Sequence, residues 1–159
     1  MVCAVLGLCS QAVLAQSRIG FVDSDRLMRE APPAVRAQQR LEKEFEKRDQ
    51  ELQRMAQELQ VMQEELERNA LTMGEADRRN KERSFNDLNR DFQRKQREFR
   101  EDLNQRRNEE LATVLDRANS AIKQIAEAEK YDMILQEAVY ASPRVDITEK
   151  VIKALGESR

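Results

Sequence analysis

The sequence predicts a mostly α-helical fold with a small β body, in which a long antiparallel helical hairpin projects from a small α/β oligomerisation domain. Three observations lead there. Of 159 residues, 36% are charged and only 4% aromatic, with 4 Gly and 3 Pro. That is the make-up of long helices, with too few bulky side chains for one compact core. Two separate stretches carry an apolar residue every seven positions, the mark of a coiled-coil seam. The two stripes also mirror each other about a glycine, so pattern and turn chemistry agree.

Residues 1–15, MVCAVLGLCSQAVLA, form an uncharged apolar run ending in small residues, and Arg18 is the first charge. This pattern predicts a secretory signal peptide cut between Ala15 and Gln16, too short to span a membrane. The segment lacks the basic residues that usually open such a signal, so Met1 is expected to lie downstream of the true start or to replace it. Cys9 in LGLC offers a lipoprotein cut site as the alternative, with bulky Leu8 where a small residue is wanted. Cys3 and Cys9 both fall in the segment, so the exported chain would carry no disulfide and must rely on packing and assembly.

The run RIGFVD, residues 18–23, predicts a short strand. Ser24 then caps a helical turn, SDRLMREA, that Pro32 and Pro33 end. A charged helical pattern follows to Gly74, and a second runs from about 77 to about 130; at 1.5 Å per residue these are roughly 60 and 80 Å long. In the tail, YDMILQ and AVYA read as two strands. Asp146 and Glu149 fit a capping box opening DITEKVIKAL, with Gly156 as its stop.

The first stripe is Phe45, Leu52, Leu59, Leu66 and Met73, with Leu41, Met55 and Met62 between; the second is Phe85, Leu88, Phe92 and Phe99, shifting phase at Leu103 and resuming at Leu111, Leu115, Ala118, Ile122 and Ile125. For helices folded back about residues 74–77, facing positions should keep a constant sum. Leu66 with Phe85, Leu59 with Phe92 and Leu52 with Phe99 all give 151. The second helix therefore outruns the first and must pack on the body. There Ile19, Phe21 and Val22 are expected to meet Met133, Ile134, Leu135 and Val139, while Leu111, Leu115, Ile122, Ile125, Val151, Ile152 and Leu155 supply helix faces. A body of about 50 to 60 residues is marginal alone, which predicts homo-oligomerisation. The expected limits are 1–15 for the signal, 16–33 and 111–159 for the body, and 34–110 for the hairpin with its tip near 73–77.

Chemistry is conspicuous by what is missing. There is no His, and no Cys after the signal, which removes imidazole and thiolate sites and the common nucleophile pairs. Gly20, Gly74 and Gly156 are isolated, so no phosphate-cradling loop exists, and Ser84, Ser120 and Ser142 have no base near them in sequence. No catalytic residue, metal or cofactor is expected. A net charge of −2 and a pI near 5.5 argue against nucleic acid as a partner.

Two features invite a choice of readings. The Phe and Met stripe either knits the hairpin together or offers adaptable apolar contact to a partner, with Phe45, Met55, Met62, Met73, Phe85, Phe92 and Phe99 as contact candidates. Paired at 151, Phe45 faces Arg106 and Leu103 faces Arg48, so the seam is imperfect near the body. The second helix is locally basic, from Arg78 to Arg100, and the first is Glu-rich near Glu64, Glu65 and Glu67. Such runs are either solvated faces paired across the hairpin or a rim for anionic headgroups.

RIGFVDSDRLM, LEKEFEKRDQELQRM, the turn at Met73 and Gly74, RRNEEL, and YDMILQEAVYAS followed by DITEKVIKAL resemble, in order and spacing, the Skp/OmpH family of periplasmic chaperones. The resemblance covers nearly the whole mature chain. It implies a homotrimer with three tentacles that holds unfolded outer-membrane β-barrel proteins in a cavity, without ATP. It also implies a lipopolysaccharide-binding patch, matched here by Lys95 and Arg106, and hence weak contact with anionic lipid. The rival reading is an envelope coiled-coil adaptor that docks one folded partner through Leu71, Met73 and their neighbours at the tip.

Overall fold

In the computed structural model, which describes residues 17–69 and 71–157, the order is β1 (Ile19–Phe21), α1 (Ser24–Glu30), α2 (Pro32–Arg68), α3 (Glu75–Glu129), β2 (Met133–Leu135) and α4 (Thr148–Glu157). The expected signal peptide and both cysteines lie outside the described residues.

The break between α1 and α2 is chemical. The helical region is disfavoured for a residue before proline, and Ala31 sits extended at φ −64°, ψ 132°. Pro32 and Pro33 then open α2, where a missing N–H costs nothing, rather than closing the helix before them. The cap of α1 is Asp23, not Ser24: its carboxylate accepts the Arg26 N–H at 2.8 Å.

α2 and α3, of 37 and 55 residues, run antiparallel. At the tip the N–H groups of Thr72 and Met73 donate to the Asn69 carbonyl, and Gly74 caps α3, with Glu75 and Asp77 against the positive helix end. At the far end Lys130 turns left-handed, φ 55°, and lets the Tyr131 N–H close on the Ala126 carbonyl at 2.9 Å.

The two strands pair in parallel, Ile19 with Met133, Gly20 with Ile134 and Phe21 with Leu135, so the entire hairpin is the crossover between them. β1 is the middle of three segments. On its other side Phe21 donates to the Val145 carbonyl and accepts from the Ile147 N–H, both at 2.8 Å. The expected AVYA strand is not formed: Val139 and Tyr140 are exposed, and the extended segment seven residues on takes that place.

The core sits where α1, α4 and the overhanging end of α3 meet, with Val22, Leu27, Ala31, Val114, Ala118, Val151 and Leu155 buried. Small residues at Ala34, Ala37, Ala118 and Ala121 let the helices approach. α4 opens differently from the expected capping box. Asp146 accepts the Thr148 N–H and hydroxyl, at 2.8 and 2.5 Å, and the fully buried Thr148 oxygen accepts the Asp23 N–H at 2.9 Å. Glu149 pairs with Arg26 instead, tying α4 to α1. Gly156 lies inside the helix against Pro32 rather than ending it.

Candidate functional site at the root of the hairpin

At about 3.6 residues per turn, the seam residues Leu41, Phe45 and Leu52 divide α2 into two flanks. One flank carries Arg40, Glu44, Arg48 and Glu51; the other carries Gln38, Glu42, Glu46 and Asp49. The two have different fates.

The first flank is zipped to α3 by ion pairs. Arg40 meets Glu110 at 2.5 Å, Glu44 meets Arg106 at 3.2 Å, Arg48 meets Asp102 at 2.8 Å, and Glu51 meets Lys95. Nearer the tip Glu65 meets Lys81 at 2.5 Å. Hydrogen bonds from Lys95, Lys81 and Arg40 hold the Glu51, Glu65 and Glu110 carboxyls below the usual range, and Glu51 in turn raises Lys95. Most of these groups keep solvent contact and each pair is individually weak, Glu110 being the most covered. Together they set the edge on which the helices close.

Phe99 is the knob of this region. Its ring lies edge-on to Phe45, centroids 5.5 Å apart at 86°, and the Arg48 guanidinium stands 5.5 Å from the Phe45 ring centre and 5.8 Å from that of Phe99. Phe99 thus sits against Phe45 and Arg48, with Leu52 beside it. The 151 rule picks one edge of this hole and the ring contact the other.

The second flank stays open. Between α2 and α3, just above the body, lies a cleft of about 710 Å³ whose floor includes Leu41, Phe45, Phe99, Leu103 and Val114. Glu42, Glu46 and Asp49 stand along one rim and Arg107 along the other. The three carboxylates accept only from amides on their own helix, Gln38 at 3.0 Å, Gln50 at 3.3 Å and Gln53 at 2.6 Å.

The structure distributes the sequence candidates unevenly. Phe45 and Met55 are 6% and 8% exposed, held in the hairpin; Met62, Phe85, Phe92 and Phe99 are half-buried along the seam, whereas α2 ends at Arg68, short of the expected Gly74, and leaves Met73 half-buried in the tip turn. Of these, Phe45 and Phe99 reach the cleft. Lys95 and Arg106 are engaged by carboxylates, Arg106 by Glu44, Glu109 and Glu110, and the hydrogen bonds to Glu44 and Glu109 raise its pKa further. On the body Val22 is core and Phe21, Ile122, Ile125 and Ile134 are half-buried, whereas Ile19, Leu111, Leu115, Met133 and Leu135 leave an apolar surface exposed. Val139 joins neither core nor sheet. Sequence reading missed the acidic rim. Its signal was the 42, 46, 49 spacing on the face opposite the cation-bearing flank. Among the described residues there is no metal-binding cluster of His, Cys, Asp or Glu, and no helix long and apolar enough to cross a membrane.

Residues 18–155 match the family described as outer membrane protein (OmpH-like). The chain belongs to the Skp/OmpH family. Two proteins named chaperone protein Skp extend the match: one from Yersinia enterocolitica is 31% identical over 93% of this chain and 92% of its own length, and one from Pectobacterium atrosepticum is 32% identical over 94% of each. The crystal structure of an OmpH-like protein from Caulobacter crescentus CB15 superposes with a TM-score of 0.71 over 89% of this chain and 85% of that one. At 20% identity this last is a likeness of fold, and it shows that the Skp/OmpH hairpin-and-body architecture is shared.

Proposed function

We propose that this chain is an ATP-independent holdase of the periplasm, which binds unfolded outer-membrane β-barrel proteins between helical tentacles and prevents their aggregation before membrane insertion. The observation that carries the reading is the end-to-end likeness to chaperones named Skp, on the same hairpin and body.

Physics supports the division of labour. The body exposes Ile19, Leu115, Met133 and Leu135, apolar surface that copies of the chain can bury, and three copies would set their hairpins around a cavity. An unfolded barrel protein offers apolar strands to many weak contacts, whose sum holds it without any bound nucleotide. Release follows when folding in the membrane outcompetes the cage. Residues 1–15 supply the export signal in this reading, and residues 16–33 and 111–159 the oligomer body. Anionic lipid or lipopolysaccharide would have to displace carboxylates already on Lys95 and Arg106, so such contact is weak and salt-sensitive.

The fully exposed Leu71 at the tip favours the adaptor as second reading. Light scattering after dilution of a barrel protein from urea separates the two. The holdase keeps it soluble without ATP and ignores the folded form. A protein that leaves scattering unchanged, yet binds one folded partner and loses it on Leu71→Ser, is the adaptor.

A further inference from the structure

We propose that the open flank of the hairpin root receives cationic apolar segments of the client: an aliphatic or aromatic side chain on the Phe45 and Leu103 floor, with neighbouring Lys or Arg on Glu42, Glu46 and Asp49. This rests on the holdase reading and names which part of the client the cleft selects.

Unpaired charge is left over on one flank only. On the zipped flank every carboxylate that faces α3 already has a cation, so nothing there calls for a ligand. Across the seam Glu42, Glu46 and Asp49 have amide partners only, and Arg107 is the sole cation on the cleft wall. Glu110, the other carboxylate on that wall, is taken by Arg40 and Arg106. Anionic headgroups are therefore repelled on this side and cationic side chains attracted. Spacing agrees as well. Along α2 Glu42 and Glu46 are about 6 Å apart and Glu46 and Asp49 about 4.5 Å, so the rim spans roughly 10 Å. Side chains two apart on an extended chain repeat at about 6.6 Å. An unfolded strand with Lys or Arg two residues to either side of an apolar residue puts all three on one face, with the cations about 13 Å apart and the apolar side chain between them for the floor.

The test uses the full oligomeric protein and labelled nine-residue peptides with one apolar centre, flanked by Lys and Arg, by Glu, or by Ser, read by fluorescence anisotropy. The cationic peptide is expected to bind tightest. The triple variant E42Q, E46Q, D49N should weaken it roughly tenfold, as three exposed ion pairs would, and leave the Ser peptide unchanged. These positions are solvent-facing, so helix content by circular dichroism stays the same. A photocrosslinker at Leu103 should capture the peptide. Equal binding of all three peptides, no effect of the triple variant, or a Leu103 crosslink to a second copy of this chain instead would overturn the inference. If the wild-type protein still keeps a urea-diluted barrel protein soluble in those cases, the holdase reading stands and only the cleft assignment falls.

Discussion

Gly20→Val is expected to dismantle the body while leaving the long helices helical. Gly20 is on the middle strand, and a Cβ built there would stand 3.3 Å from Ile134 Cγ1, from Ile147 Cδ1 and from Tyr131 Cε1. Its φ is not positive, so the requirement is space and not backbone freedom. Alanine would push three side chains by a few tenths of an ångström. Valine adds two further methyl groups in a closed site, where overpacking costs about 1–3 kcal/mol or more. A small body has little stability in reserve. Thermal melting at fixed protomer concentration should show the midpoint falling steeply, with the proposed oligomer lost and most helical signal kept at low temperature. A Gly20→Val protein that assembles and melts like the parent would show that β1 does not organise the body.

Acid should unzip the hairpin and loosen its joint to α4. Glu51, Glu65, Glu109, Glu110 and Glu129 are each held below the ordinary carboxylate value of 4.5, chiefly by hydrogen bonds from Lys95, Lys81, Arg106, Arg40 and Lys150. A folded pKa below the unfolded one means the unfolded chain takes up protons first on acidification. The contribution is therefore complete above about pH 4.5 and is lost as pH falls through the lowered values. The sequence has no His, so nothing of this kind titrates between pH 5 and 8. The thermal midpoint should be flat from neutral pH to about 5 and drop below 4.5, with a smaller drop in high salt, which screens exposed pairs. A midpoint unchanged down to pH 3.5 would mean the ion pairs do not hold the arms together.

The hairpin was legible because a heptad stripe is a long signal: Phe45 to Leu66 and Phe85 to Phe99 report one register many times over, although α2 stops at Arg68 and leaves Met73, the expected last member, in the turn. The mirror rule located the turn near Gly74 but blurred the layer. One side chain touches four on the facing helix, so Phe99 finds Phe45 and Arg48 as well as its rule partner Leu52. The body was harder, because its signals are single residues competing for one task. Asp23 and Ser24 both suit a cap, and the aspartate wins. Asp146 bonds Thr148 while Glu149 is claimed by Arg26 from another helix. Val139 and Tyr140 have strand chemistry, yet backbone pairing goes to 145–147. The open cleft was foreshadowed only as an imperfect seam. Its acidic rim depends on which flank closes, and that is decided by pairs 44 to 70 residues apart.

Native mass spectrometry of residues 16–159, alone and mixed with an outer-membrane barrel protein diluted from urea, tests the chaperone reading most directly. A homotrimer that gains one unfolded client, and gains none when the barrel is added folded, is the predicted result. A monomer or dimer, or a trimer whose mass is unchanged by the unfolded barrel, would contradict it.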